Sequence, residues 1–204
     1  MKKWNFVLVG FFALFMAMPV GAQLRVGALA GLNVASVSVD GGNDDYSSRL
    51  GLGLGGVIDY ALKQNLHLHI EPMYLQKGSK IESGTQKMTY KTTYIEIPLL
   101  VKYGFQTGGN IAPYVMAGPS LGFNLDAKFD VEGQGEVDDD ETKIFDFGVG
   151  LGGGASMPMG NNSIFAEVRY VLGLPNVNKD DSEPEVKNRG LQIFAGITFP
   201  LDAN

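Results

Sequence analysis

The sequence predicts an all-β fold, an eight-stranded antiparallel up-and-down transmembrane β-barrel. Three observations predict it. Apolar residues recur with a period of two in one segment after another, the spacing of an extended chain with distinct faces. One of those faces is nearly free of charge, and the other gathers ionisable groups and glycine. The connections alternate between short turns and long polar stretches, as in an outer-membrane barrel with turns on the periplasmic side and loops outside.

The N-terminus is set apart first. Lys2 and Lys3 precede an apolar run from Trp4 to Val20, and Val20 and Ala22 suit the −3 and −1 positions of a signal-peptidase site. Residues 1–22 are thus expected to be a signal peptide and 23–204 the barrel domain. Removing 22 of 204 residues leaves 182, and losing two lysines takes the formal charge from −6 to −8. An acidic chain of that length argues for one domain and against nucleic acid as a partner. It contains no cysteine, which excludes a lipoprotein anchor and a disulfide framework. Beyond the leader, no apolar run reaches the ~20 residues of a spanning helix, so a membrane would be crossed by strands.

The elements follow in order. Two weaker candidates are Arg25 to Ser38 and Ile111 to Asn124. In "RLGLGLGGVIDY", Leu50, Leu52, Leu54, Ile58 and Tyr60 oppose glycines, Val57 and Asp59. In "LHLHIEPMY", Leu66, Leu68, Ile70 and Tyr74 oppose His67, His69, Glu71 and Met73. In "YIEIPLLVKYGF", Ile95, Ile97, Leu99, Val101, Tyr103 and Phe105 oppose a face containing Glu96 and Lys102. Phe145, Phe147, Val149 and Leu151 oppose Asp146 and three glycines; Ile164, Ala166, Val168, Tyr170 and Leu172 oppose Glu167 and Arg169. The last segment sets Leu191, Ile193, Ala195, Ile197 and Phe199 against Gln192 and Thr198. Short connections lie near residues 63–65, 106–110 and 157–162, and long ones near 40–48, 78–93, 125–142 and 175–188.

A soluble barrel also alternates, so the apolar face must be placed. Charge segregation puts it outside. The aromatic residues on that face agree: Tyr60, Tyr103, Phe105 and Phe199 fall at the short-turn ends of their strands, and Tyr74, Phe123, Phe145, Phe147 and Tyr170 near the other ends. Two aromatic girdles around an aliphatic band mark the interfaces of a membrane barrel. Pro72, Pro98, Pro113 and Pro119 oppose this reading, because proline removes a ladder donor, and bulges or interfacial positions are expected there.

The phrases "IEPMYLQKG", "YIEIPLLVKY", "APYVMAGPSLGF" and "EVRYVLGL", with "VGALAGLNVAS" near the mature start, resemble the PorT-like outer-membrane β-barrels common in Bacteroidetes. The resemblance covers most of the mature chain except its loops. It implies an eight-stranded barrel that tolerates prolines at these places. It implies no single activity; the founding member of that family assists protein secretion.

"GLGLGG" (51–56) and "GVGLGG" (148–153) satisfy a dinucleotide-binding pattern, but strand rather than a helix start surrounds each, so no cofactor is expected. The glycines instead leave room in a narrow lumen for bulky side chains of other strands. Into that lumen the alternation aims Asp59, His69, Glu71, Glu96, Lys102, Asp146, Glu167 and Arg169. Six residues of strand put ~20 Å between Glu96 and Lys102, so each requires partners on other strands. The expected result is a polar plug that fixes register; the alternative is a gate whose pairs exchange to admit ions. His67, His69 and Asp59 lack a further ligand for a metal site. No serine is placed to use either histidine as a base, so no enzyme and no catalytic residue is expected. Asp126 to Glu141 carries eight acids against Lys128, a solvated run or a collector of divalent cations bridging to lipopolysaccharide, and the preceding Lys77, Lys80, Lys87 and Lys91 are expected to contact it or anionic lipid. Together these readings predict a monomer of the outer membrane with termini in the periplasm and loops outside. Its role is structural or interactive, with a narrow pore as the alternative and a lipid-modifying enzyme third.

Overall fold

A computed structural model describes residues 24–39, 46–83, 86–133, 135–139, 141–178 and 184–201. The expected leader and its processing site lie outside the described residues. Ten strands run β1 (Leu24–Val39), β2 (Tyr46–Lys63), β3 (Leu66–Ile70), β4 (Met73–Ser83), β5 (Gln86–Gly104), β6 (Ala112–Val131), β7 (Gly135–Asp138), β8 (Phe145–Met159), β9 (Asn162–Gly173) and β10 (Val186–Leu201). All pairings among them are antiparallel, and β1 pairs with both β2 and β10. The sheet therefore closes on itself. β3 and β4 are one course of the wall, interrupted at Glu71–Pro72, and β7 folds back on the far end of β6, leaving eight strands in the ring.

The two faces of the wall differ in chemistry. Leu52, Leu32, Ile193 and Val168 are register partners on four successive strands, and all are 40–59% exposed on the outside. One residue further along, the row reads Gly53, Gly31, Phe194, Glu167, Gly154 and Tyr114, and it faces the lumen. Glycine here makes space for its neighbours. A Cβ on Gly53 would lie 2.6 Å from the Phe194 ring, and one on Gly154 would lie 2.7 Å from the Tyr114 hydroxyl. Both glycine-rich matches to the dinucleotide pattern are thus continuous strand in β2 and β8.

Pro98, Pro113 and Pro119 sit within strands and Pro72 between two, with Pro113 at the second residue of β6. Pro72 separates β3 from β4, where its carbonyl accepts from the Gly56 amide at 2.9 Å. The β5–β6 ladder passes from the Pro98–Ser120 pair directly to Val101–Ala117. The lost donor leaves a gap there without changing the register on either side of it.

Three expectations need correction. The stretches 78–93 and 125–142 are not loops from end to end: β4, β5 and β6 run on as a hairpin wall, and β5–β6 pairing extends to Met88–Val131. These extensions carry polar residues on both faces, so they lack the one-sided pattern by which a strand is recognised. Lys77 belongs to the lumen rather than to a basic loop, being 8% exposed on β4. Tyr60 is 6% exposed and does not present an open girdle surface; it lies between Leu24 on β1 and Leu68 on β3, beside an irregularity at Ala61–Lys63.

Candidate functional site in the barrel lumen

From the short-turn end upward, the lumen contains one connected polar network. The tight β2–β3 hairpin brings Asp59 opposite His69. Asp59 is the first node: its carboxylate contacts His67 Nδ1 at 2.6 Å and His69 Nδ1 at 2.8 Å, and accepts from Lys102 Nζ at 2.9 Å. Lys102 comes from β5, whose residue register places it beside His67, and its amine stands 4.3 Å above the Tyr114 ring. The other nitrogen of His69 faces Glu71 Oε1 at 2.8 Å. A carboxylate only accepts, so a ring carrying a proton on each nitrogen satisfies both contacts at once.

Arg169 on β9 is the second node. It donates to Glu71 Oε2, to Glu167 Oε1 at 3.2 Å and, through Nε, to Gln192 Oε1 at 2.6 Å. Its guanidinium also lies 5.1 Å from the Phe194 ring centre, the ring housed against Gly53 and Gly31. The Tyr114 hydroxyl crosses above Gly154 to donate to Glu167 Oε2 at 2.9 Å. Arg169, Glu71 and Gln192 are each no more than 2% exposed. Such a planar, always charged group can serve several oxygens at once, and its burial is tolerable because two carboxylates and an amide accept from it, with the Met73 sulfur 3.8 Å from Nη2.

The third node lies nearer the long-hairpin end. Gln192 donates to Glu96 Oε1 at 3.2 Å, and Glu96 Oε2 contacts Lys77 Nζ at 2.5 Å. Lys77 also reaches Asp146 Oδ2 at 3.3 Å and stands 4.7 Å over the Tyr94 ring. Asn188 on β10 donates to the same Asp146 oxygen at 2.9 Å. Glu96 and Lys102, neighbours in sequence, therefore belong to different nodes, joined through Asp59, His69, Glu71, Arg169 and Gln192.

All eight lumen residues read from the sequence lie in this network. The alternation alone did not single out Lys77, Gln192, Asn188, Tyr94 and Tyr114. Lys77 was within reach of the same reasoning, since counting by twos from Glu71 passes through Met73 and Leu75 to Lys77. His69, Glu71 and Glu167 converge closely enough to hold an ion, with ligand atoms within 4.8 Å of one another. Arg169 already occupies that convergence, however, and its positive charge excludes a metal ion from the same carboxylates.

Outside the network, Tyr74, Tyr103, Phe105, Phe145, Tyr170 and Phe199 are 41–49% exposed on the outer wall, and Phe123 and Phe147 are half-buried there. Tyr103 packs edge-on against Phe105 and Phe123 against Phe145. Below the first node an open vestibule of about 430 Å³ is lined by Arg25, His67, Lys102, Tyr114 and Phe165. At the other end, Lys91 bonds Asp130 at 2.6 Å and Glu136 at 2.9 Å, joining the basic stretch to the acidic one.

Residues 18–179 match the family model described as "Outer membrane protein beta-barrel domain". Among curated proteins, none matches the sequence significantly. Among solved structures, the fold is similar to that of Neisserial surface protein A, at 20% identity and a TM-score of 0.52 over 89% of this chain and 100% of that one. A major outer membrane protein from Thermus thermophilus is similar at 16% identity and a TM-score of 0.54, over 89% of this chain and 100% of its own. OprG from Pseudomonas aeruginosa is similar at 12% identity and 0.51, over 90% and 97%. At these identities the likeness is one of fold.

Proposed function

We infer the function of this chain from the family it belongs to, the outer-membrane protein β-barrel domains, and from the way its own side chains occupy the lumen. It is an integral outer-membrane protein that acts through its ends, in a structural or interaction role, and does not pass solute. The single observation that carries this reading is the middle of the network. Arg169, Glu71, His69, Glu96 and Gln192 meet across the barrel with at most 2% of any of them exposed. An eight-stranded barrel is just wide enough to be filled in this manner.

In the membrane, the short turns and both terminal strand ends face the periplasm and the long hairpins face outward, the usual disposition of such barrels. Among the described residues the membrane-spanning ring closes on itself and only the four-residue β7 outside it keeps an open edge, so the protein works as a monomer. Its immediate partners are membrane lipid and lipopolysaccharide, which the charged hairpins meet at the surface. Within the family, the phrases quoted above favour a relationship to PorT-like barrels and hence assistance to another envelope component. No catalysis is assigned: both histidines are engaged by Asp59.

Conductance in planar bilayers tests the reading. The folded protein is expected to give no open steps. Regular steps that vanish in Glu71→Gln or Arg169→Ala would replace the plug by a gated pore.

A further inference from the structure

We propose that the long-hairpin end of the barrel binds a small lipophilic ammonium compound, with its apolar body in a pocket at the mouth and its charge toward an acidic rim. The pocket lies beyond the third node, so it does not depend on whether the lumen below conducts. Its volume is about 270 Å³. An apolar cavity of ~150 Å³ admits benzene, so this one takes a single ring with a short chain.

In the middle of the barrel the inward face of the wall is polar and charged, and at this end the same face turns apolar. It passes from Asn33 to Val37 and Val39 on β1, from Lys77 to Ile81 on β4, and from Gln192 to Val186 on β10. Tyr90 and Phe129 continue the lining on β5 and β6, their ring centres 4.9 Å apart. Val177 closes a further side and is pinned through its backbone. Its amide donates to the Val186 carbonyl at 2.8 Å, and its carbonyl accepts from the Lys143 amide at 2.7 Å. The walls are therefore held by the chain's own hydrogen bonds, as in the preformed sites of small molecules. What the neighbouring connections do not supply is an apolar side chain to fill the space. Residues 40–45 and 179–183, which join β1 to β2 and β9 to β10, are only Asp, Gly, Asn, Lys, Ser and Glu. Protein interiors are close-packed, and an apolar space of this size calls for a guest. Ser79 lines the same pocket at 1% exposure, and its hydroxyl makes no hydrogen bond among the described residues, which leaves a polar group for that guest.

The rim selects the sign of the guest's charge. Asp139 and Glu141 line the pocket, and among the described residues no Lys, Arg or His does. Asp139 is oriented by its own segment, accepting from the Glu141 amide at 2.9 Å and from the Thr142 hydroxyl at 2.6 Å. A carboxylate so held has lone pairs left for a further donor. The nearby lysines are directed elsewhere. Lys187 bonds Glu185 at 2.6 Å, Lys143 acts on the same carboxylate, and Lys80 is exposed on the outward face of β4. An anionic head would meet two like charges at this rim, and an ammonium meets two opposite ones.

The test uses the folded barrel in lipid nanodiscs, with valine and isoleucine methyl groups isotopically labelled. It is titrated at low salt with 2-phenylethylammonium and with 3-phenylpropanoate, which carry the same body and opposite charges. The ammonium is expected to give saturable shifts at Val37, Ile81 and Val177 while Val168 and Ile193 on the outer wall stay in place. Half-saturation should come at a concentration roughly tenfold or more below that of the carboxylate. Val177→Phe, which fills the pocket, should abolish the shifts at Val37 and Ile81. Should that variant fail to fold, Glu141→Gln on the exposed rim is expected to weaken ammonium binding roughly threefold and leave carboxylate binding no weaker. Shifts that appear equally at Val168 and Ile193 would mean partition into lipid and overturn the proposal. So would the absence of saturable shifts in the pocket, or a carboxylate that binds as tightly as the ammonium.

Discussion

Arg169 determines more of this lumen than any other side chain, because three strands reach it at once. Replacing it by alanine leaves Glu71 and Glu167 to share His69, 2.8 and 3.9 Å away, in a site from which water is excluded. Breaking a buried pair in this way costs about 3–5 kcal/mol. Arg169→Ala is therefore expected to unfold at markedly lower urea than the parent, read as the shift from compact to extended migration on unheated gels. Replacement of the three charges by neutral groups of similar volume, Arg169→Met with Glu71→Leu and Glu167→Gln, should recover much of that loss, because neither carboxylate is left facing the other. Gly154→Ala tests the same layer sterically. Its methyl would collide with the Ala166 carbonyl and stand 2.7 Å from the Tyr114 hydroxyl. Overpacking of this kind costs about 1–3 kcal/mol, and the Tyr114–Glu167 bond should be lost with it. At this scale the sequence was readable wherever the strand limits were right. Glu71, Glu96 and Arg169 stood out as charges on a face of known direction. Lys77 was hidden only because "LQKGSK" resembles a turn; the Gly78 that suggests one keeps a positive φ of 124° within continuous strand.

Among the elements, the hairpins beyond the outer girdle depart furthest from the sequence reading. A membrane strand is recognised by an apolar outer face, and β5 above Tyr94 has none: Thr93, Lys91 and Thr89 are polar, while Thr92 interrupts the other face that holds Tyr90 and Met88. What holds this extension together is cross-strand pairing. Lys91 lies opposite Lys128, and the like charges are relieved by Asp130, Glu136 and Asp126. Tyr90 and Phe129 add an aromatic contact with ring centres 4.9 Å apart. Hydrogen bonds to Asp130 and then Glu136 hold the Lys91 amine above the ordinary lysine pKa. A raised pKa stabilises the folded form fully below the ordinary lysine value and is lost as pH rises through the shifted one, so this contribution is intact at neutral pH and fades only in alkali. The pairs are exposed and screened, worth at most about 1 kcal/mol. Lys91→Ala should accordingly leave the barrel's urea midpoint within error while speeding amide exchange in 86–92 and 127–138. Unchanged exchange there would mean that the Lys91 pairs do not hold the hairpin.

For the whole molecule, the decisive property is that the ring has its greasy side outward. Leu52, Leu32, Ile193 and Val168 would be an aggregation surface in water, and in a bilayer they are the surface that meets lipid. Segregation of charge between the two faces made this legible in the sequence, since closure, register and lumen contents all follow from which parity is charged. The same property gives a depth-dependent prediction. Val168 lies at the centre of β9 and Leu172 near its long-hairpin end, beside Tyr170 of the outer girdle; they are 45% and 50% exposed. In a water-soluble barrel either would accept arginine at little cost. In a membrane barrel, Val168→Arg buries a charge at the bilayer midplane at a cost of about 2–4 kcal/mol, and Leu172→Arg near the interface costs about 0–1 kcal/mol. Urea titration of the two variants folded into lipid vesicles, scored by the gel shift of the compact form, should separate them by that difference. Equal midpoints would mean that Val168 does not face hydrocarbon, and the outward row would then need another solvent.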